Sequence, residues 1–497
     1  MPSLHRLSAC ALSLAMVLAC HPAVPAPAGR MDFSTIDQYV RDKMRSSRIP
    51  GLGLAIVEGD RIVYLKGYGD ADPAGRPVTP ATPFMIGSIT KSFTALAVMQ
   101  LVEAGKVELD APVRRYIPWF GVADSTASAH ITVRHLLTMT GGLPQLYQTQ
   151  LATDDDPGTI ERNVRLLGTE ALSRQVGDGF FYSNSNYETL GLLVQMVSGQ
   201  SYEEYVQQHI FAPLDMRNSF TSQDEAMRHG MAAGHRWWFG IPVAATFPFN
   251  RGQLPAGYII ASTEDMAHYL IAQVNDGHYG NSAVLTPAAM ALMHVETPPA
   301  TYGIGWESVR SNRRHLLNSD GGTVNFQSSI FFDPASRVGV YVAANVVNAL
   351  DTFSSPHGAS VLDGATVRGM AHVILSLATT QPPPDQGPGH ERLTLMFNLL
   401  LLALTVLIVI VLLRTPRHFR RLAQLAAESK GTLVRHASIA AIAWLIVPIA
   451  VAWLVLFSAP WKVIAAFQPD LAWWLYAVAV VLLLRALLEI KGLGTRD

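Results

Sequence analysis

The chain is poor in cysteine and in charge. Of its 497 residues only two are cysteine, Cys10 and Cys20, both within the first twenty. Beyond them there is no disulfide, no cysteine nucleophile and no cysteine-ligated zinc. Charged residues make up 15%, against about 25% in soluble domains. The formal net charge is −1, so no basic field is present to hold nucleic acid and no acidic block to mark a disordered tail. The sixteen histidines show no H-E-x-x-H spacing, and neither G-x-x-x-x-G-K nor a strand-linked G-x-G-x-x-G occurs. No metal site, no cofactor and no nucleic-acid partner are expected, and no internal repeat is present.

The apolar excess sits at the two ends. His5 and Arg6 precede Leu7–Ala19, an apolar stretch of about a dozen residues, too short to span a bilayer and suited to an export signal. Two exits are open for residues 1–28. Val17-Leu18-Ala19-Cys20 resembles a bacterial lipobox that would lipidate Cys20, and Ala26-Pro27-Ala28 offers a small-residue cleavage site. At the other end a proline-rich linker (QPPPDQGP, within 379–390) leads to 391–497. There Leu393–Leu413, Ile439–Phe457 and Leu471–Leu488 are each long and apolar enough for a transmembrane helix. The loop after the first carries Arg414, Arg417, Arg420, Arg421, Lys430 and Arg435, and the loop after the second only Lys462 and Asp470. The positive-inside rule then places the first loop and the C-terminus in the cytoplasm and everything before Leu393 outside, in agreement with the export signal. The expected location is the bacterial inner membrane, with residues 31–378 on the extracytoplasmic side.

Those middle residues read as one soluble domain of mixed type. Phe33–Arg45 and Ser88–Ala104 have helical spacing. Gly51–Val57 and Arg61–Gly67 read as a hairpin about Glu58-Gly59-Asp60, and Phe326–Phe332 and Val338–Ala343 as a second pair about Asp333–Ser336. Strands at both ends with helices between predict an α+β fold: an antiparallel sheet shared by the terminal strands, flanked by helices, plus an all-helical region. Three transmembrane helices would follow it. His235-Arg236-Trp237-Trp238 reads either as a loop rimming a cleft, with Arg236 or Arg251 meeting an anionic group, or as a packed structural loop.

At the start of the second helix stands Ser88-Ile89-Thr90-Lys91. Three residues apart on a helix, the serine and lysine share one face. A serine hydroxyl needs a neighbouring base to become a nucleophile, and a lysine serves when its surroundings favour the neutral amine. A helix N-terminus also presents backbone N–H groups to an oxyanion. The pattern is short and occurs by chance, but more follows it: Leu101–Asp110 (LVEAGKVELD), Thr132–Pro144 (TVRHLLTMTGGLP) and Tyr182-Ser183-Asn184.

With these boxes in this order over roughly residues 35–350, the chain resembles the serine β-lactamase and penicillin-binding protein superfamily in its class C-like branch. The resemblance implies that Ser88 forms an acyl-enzyme and that Lys91 and Tyr182 share the proton transfers. It places Asn184 on the substrate, and the backbone N–H groups of Ser88 and Gly322 in an oxyanion hole. The third box, usually Lys-Thr-Gly or His-x-Gly, is here Asn318-Ser319-Asp320-Gly321-Gly322-Thr323, with Ser319 where the cation would stand and Gly321 beside it lining the substrate. Serine donates a hydrogen bond but cannot pair a carboxylate as an ion.

An exported domain of this kind before three transmembrane helices also resembles the prodrug-activating peptidases of nonribosomal peptide pathways, of the colibactin-maturing type. By that resemblance Asn184, Gln253 and Asn325 would contact an N-acyl-D-asparagine group. The expected activity is that of a serine peptidase or amidase on peptide-like substrates. An esterase or β-lactamase on the same scaffold, and a catalytically silent sensor, remain alternatives. Oligomeric state is left open.

Overall fold

The computed structural model describes residues 31–494 apart from 147–148, 150–155, 296–301, 312, 348–366, 385–394, 407, 411–412 and 414–468. The first helix, α1 (Phe33–Ser46), starts where the Asp32 side chain accepts from the N–H groups of Ser34 and Thr35, satisfying donors that a helix cannot bond internally. It leads into β1 (Gly51–Glu58) and β2 (Arg61–Gly69), the first expected hairpin. Helix α2 (Thr90–Glu103) follows a 3-10 turn at Gly87–Ile89, and α3 (Asn184–Ser198) lies beside it. Strands β3 (His235–Trp238) and β4 (Ile241–Ala244) form a further hairpin, and α4 (Thr263–Val274) follows. The C-terminal part supplies β5 (Glu307–Ser311), β6 (Arg314–Gly322), β7 (Gln327–Asp333), β8 (Val338–Ala344) and α5 (Val367–Ala378).

The main sheet has the order β5-β6-β7-β8-β1-β2 and is antiparallel throughout. Strand β1 pairs with β8 from Leu52↔Ala344 to Glu58↔Val338, so the two ends of the domain share one sheet, as the sequence predicts. Period-two alternation sorts its side chains onto two faces. Leu52, Leu54, Ile56, Val340 and Val342 pack with Ile36 and Val40 of α1 and Ile374 and Leu375 of α5. Ala55, Val57, Tyr341 and Ala343 join the larger core with Met266, Tyr269 and Leu270 of α4. Both faces are covered, which is why β1 reads as the near-continuous apolar run GLGLAIV rather than as an alternating strand. The all-helical region around α2 and α3 belongs to the same larger core through Phe93, Leu96, Tyr187 and Leu190.

Among the described residues no helix is long and apolar enough to cross a membrane. Of the three expected spans, the first is described as helix at 395–406 and 408–410, and the second lies outside the described residues. The third falls on α6, Pro469–Gly494. The expected signal segment, residues 1–28, also lies outside them.

Candidate active site

Three elements converge where the sheet meets the helical region. Ser88 sits in the 3-10 turn that opens α2, Tyr182 two residues before α3, and Asn184 is the first residue of α3. The third side is the open end of β6. Strand β5 pairs with Arg314–Asn318, so among the described residues Ser319–Gly322 have a strand neighbour on one side, β7, and an unpaired edge on the other.

Close approach requires glycine here. A Cβ on Gly87, whose φ is +55°, would lie 2.5 Å from the Gly322 nitrogen; one on Gly321 would lie 1.9 Å from the carbonyl oxygen of Ile86. The Ser328 hydroxyl donates to that same carbonyl at 2.7 Å. The turn bearing Ser88 and the third-box strand are thereby clamped together, which brings the Gly322 amide beside the Ser88 turn.

Ser88 Oγ has two partners. Lys91 Nζ donates to it at 2.9 Å, and the Tyr182 hydroxyl lies 2.7 Å from it. The Lys91 side chain is buried, with its Nζ over the Tyr182 ring at 4.9 Å and a second hydrogen bond to the Ala256 carbonyl. Tyr182 is 37% exposed, so the three groups run from the interior to the surface. The three residues predicted to be catalytic are thus brought together within hydrogen-bond reach.

The other predicted residues divide. Asn184 lines the site at half-exposure; its backbone N–H donates to Gln145 Oε1 at 2.8 Å and its amide to Gln253 Oε1 at 3.3 Å. Gln253 is buried behind it and donates to Glu188 and to Thr149, so it holds Asn184 from behind. Asn325 is buried with both ends of its amide engaged: Nδ2 donates to the Ala245 carbonyl, and Oδ1 accepts from Thr323. That makes Asn325 a brace between the third-box loop and the end of β4. Ser319 is buried in register with Ile330, and its neighbour Asp320 pairs with Arg368 of α5. Arg368, which reaches this strand from α5, is thus paired with Asp320 and Glu307. His235–Trp238 is a strand, and Arg251 pairs with Glu203 at 2.6 Å.

Two participants escaped the sequence reading. The Ala256 carbonyl that receives Lys91 is a backbone group, inside the LPAG helical turn Leu254–Gly257. Glu188 lies one helical turn beyond Asn184 and is fully buried. Burial pushes its carboxyl up to about 7, opposed in part by the Gln253 amide and by the charge of Lys91. The signal for it was the one charged residue of a helix that carries no other, four positions from Asn184. Among the described residues no cluster of side chains could hold a metal ion.

Comparison with known proteins bears on the family and the fold. The family model described as Beta-lactamase matches residues 36–358. The protein flp of Staphylococcus aureus (strain MW2) is 30% identical over 313 residues, covering 63% of this chain and 62% of the relative. The chain thus spans less than two thirds of that relative's length. Among solved structures, the octameric penicillin-binding protein homologue from Pyrococcus abyssi superposes with a TM-score of 0.59 at 27% identity, over 72% of this chain and 80% of that one. A class C β-lactamase from Rhodobacter sphaeroides does so at 0.53 and 24%, over 63% and 94%, which bears on the fold alone. The chain belongs to the beta-lactamase family of serine hydrolases.

Proposed function

We propose that this protein is a membrane-anchored serine peptidase or amidase that works outside the cytoplasm through an acyl-enzyme on Ser88. The observation that carries the reading is the contact of Ser88 Oγ with both Lys91 Nζ and the Tyr182 hydroxyl, beside an open strand edge. Attack by Oγ on a substrate carbonyl transfers the serine proton into the Lys91–Tyr182 pair. The N–H groups of Ser88 and Gly322 hold the oxyanion, and a proton returns to the amine as its C–N bond breaks. Water then attacks the ester, its proton passing to the same pair, and Ser88 is regenerated.

Substrate class follows from what lines the open edge. Ser319 stands where other members of the family carry a cation, and Arg368, which reaches this strand, is paired with Asp320 and Glu307. Recognition therefore rests on hydrogen bonds rather than on a paired carboxylate. N-acyl-D-amino-acid amides, and cell-wall-type peptides cleaved away from their free C-terminus, fit better than substrates whose binding needs a free carboxylate at that position. The three apolar segments of 391–497 and their flanking charges support the anchor and the extracytoplasmic placement.

The test is a substrate panel on the full-length protein: N-acyl-D-amino-acid amides, their L-isomers, small esters and a chromogenic β-lactam, each with a Ser88→Ala control. Hydrolysis of the amides above the esters supports the reading. Preference for esters or the β-lactam moves it to an esterase or β-lactamase, and no turnover of any class moves it to a silent binding module.

A further inference from the structure

The β3–β4 hairpin ends in Phe239-Gly240, with φ of +48° and +86°. A two-residue hairpin turn with positive φ at both positions suits Asn-Gly or Gly-Gly. A bulky aromatic at the first position works against its own sterics. Burial does not compensate Phe239, which is 47% exposed, and Ile241 and Val243 beside it are 58% and 43% exposed. A strained, apolar, outward-facing tip is a feature that solubility alone would remove.

The tip is also tied in place. Arg48 Nη1 donates to the Gly240 carbonyl at 2.9 Å, and the Phe239 N–H donates to Asp470 Oδ2 at 3.0 Å. Asp470 lies in the first turn of α6, immediately before Leu471–Leu488, the third expected span, where Trp473 is 63% exposed. At its base the hairpin is bonded to the third-box loop. The His235 N–H donates to the Asn325 carbonyl, and the Asn325 amide donates to Ala245.

We propose that the apolar tip Trp238–Val243 is a membrane-docking element, seated in the headgroup–acyl boundary of a lipid bilayer beside the outer end of the third span. This rests on the anchored reading given above. Aromatic and aliphatic side chains favour that boundary, and Trp473 at the same level belongs to it. A span alone leaves the catalytic domain free to swing on the linker. A second contact, bonded through Asn325 to the strand edge of the site, fixes the cleft relative to the membrane surface.

The experiment uses the full-length chain with Cys10 and Cys20 replaced by serine, carrying Ile241→Cys labelled with an environment-sensitive nitrobenzoxadiazole dye. It is reconstituted in phosphatidylcholine vesicles with and without lipid spin-labelled near the glycerol. Thermal melts confirm that the labelled chain is folded. The expected result is a blue-shifted emission that spin-labelled lipid quenches severalfold. A chain that stays with carbonate-washed vesicles but emits as in water, unquenched, overturns the docking while leaving the anchor intact. A chain released by the wash overturns the anchored reading and the docking with it.

Discussion

At the scale of single residues, Lys91 and Tyr182 touch the same oxygen from different surroundings. Lys91 is buried against the Ala256 carbonyl, whereas the Tyr182 hydroxyl reaches Ser88 from a partly exposed ring. Tyr182→Phe removes one hydroxyl from a partly exposed ring. It is expected to lower kcat by about 100-fold or more with little change in Tm, because proton transfer rather than packing is lost. Lys91→Ala leaves a cavity and an unpaired carbonyl in the core, so both kcat and Tm fall. Steady-state kinetics and thermal melts on the two variants separate the effects. Glu188 gives a prediction with a sign. Its folded carboxyl titrates near 7 against an ordinary 4.5, so the unfolded chain releases that proton first. Stability therefore falls as pH rises from about 4.5 to about 7 and is level above, by at most about 3 kcal/mol. Glu188→Gln removes this cost: it should stabilise the protein at pH 8 and not at pH 5 in denaturant melts. An equal difference at both pH values contradicts the assignment.

At the scale of elements, the site depends on how closely the Ser88 turn and β6 approach. Gly321→Ala places a methyl group 1.9 Å from a backbone oxygen that cannot swing away. Overpacking of this kind costs about 1–3 kcal/mol, and the strand must move to accommodate it. The variant is expected to fold with a lowered Tm and to lose acylation far beyond that loss of stability. Acylation at the wild-type rate would mean that the Gly322 amide is not part of the oxyanion site. The same elements show where the sequence was legible. The run GLGLAIV, the turn Glu58-Gly59-Asp60 and the pair about Asp333–Ser336 carry their own turn chemistry, so β1, β2, β7 and β8 could be placed within a residue or two. The hairpin at His235–Ala244 could not. Its turn is Phe-Gly rather than Asn-Gly and its second strand is exposed, so neither the turn signal nor the alternation was present. That Ser88, Lys91 and Tyr182 come together was legible, the first two through helical spacing and the third through the family resemblance. The bond from Gln253 to Glu188 joins residues 65 apart in sequence, and no local pattern encodes it.

At the scale of the whole molecule, the proposed function puts a hydrolase domain on a membrane tail. Substitution of Asp60, an exposed residue at the β1–β2 turn, by cysteine should permit labelling with an impermeant maleimide in intact spheroplasts. Ser429→Cys, in the arginine-rich loop after the first expected span, should be labelled only after permeabilisation. The opposite pattern would reverse the topology and place the catalytic domain in the cytoplasm. The central claim is narrower, that Ser88 is an activated nucleophile, and one measurement meets it directly: the intact mass of the full-length protein in detergent after exposure to a fluorophosphonate, beside a Ser88→Ala variant. The account predicts a gain of one phosphonyl group in the wild type and none in the variant. No gain in a folded wild type, or an equal gain in both, contradicts it.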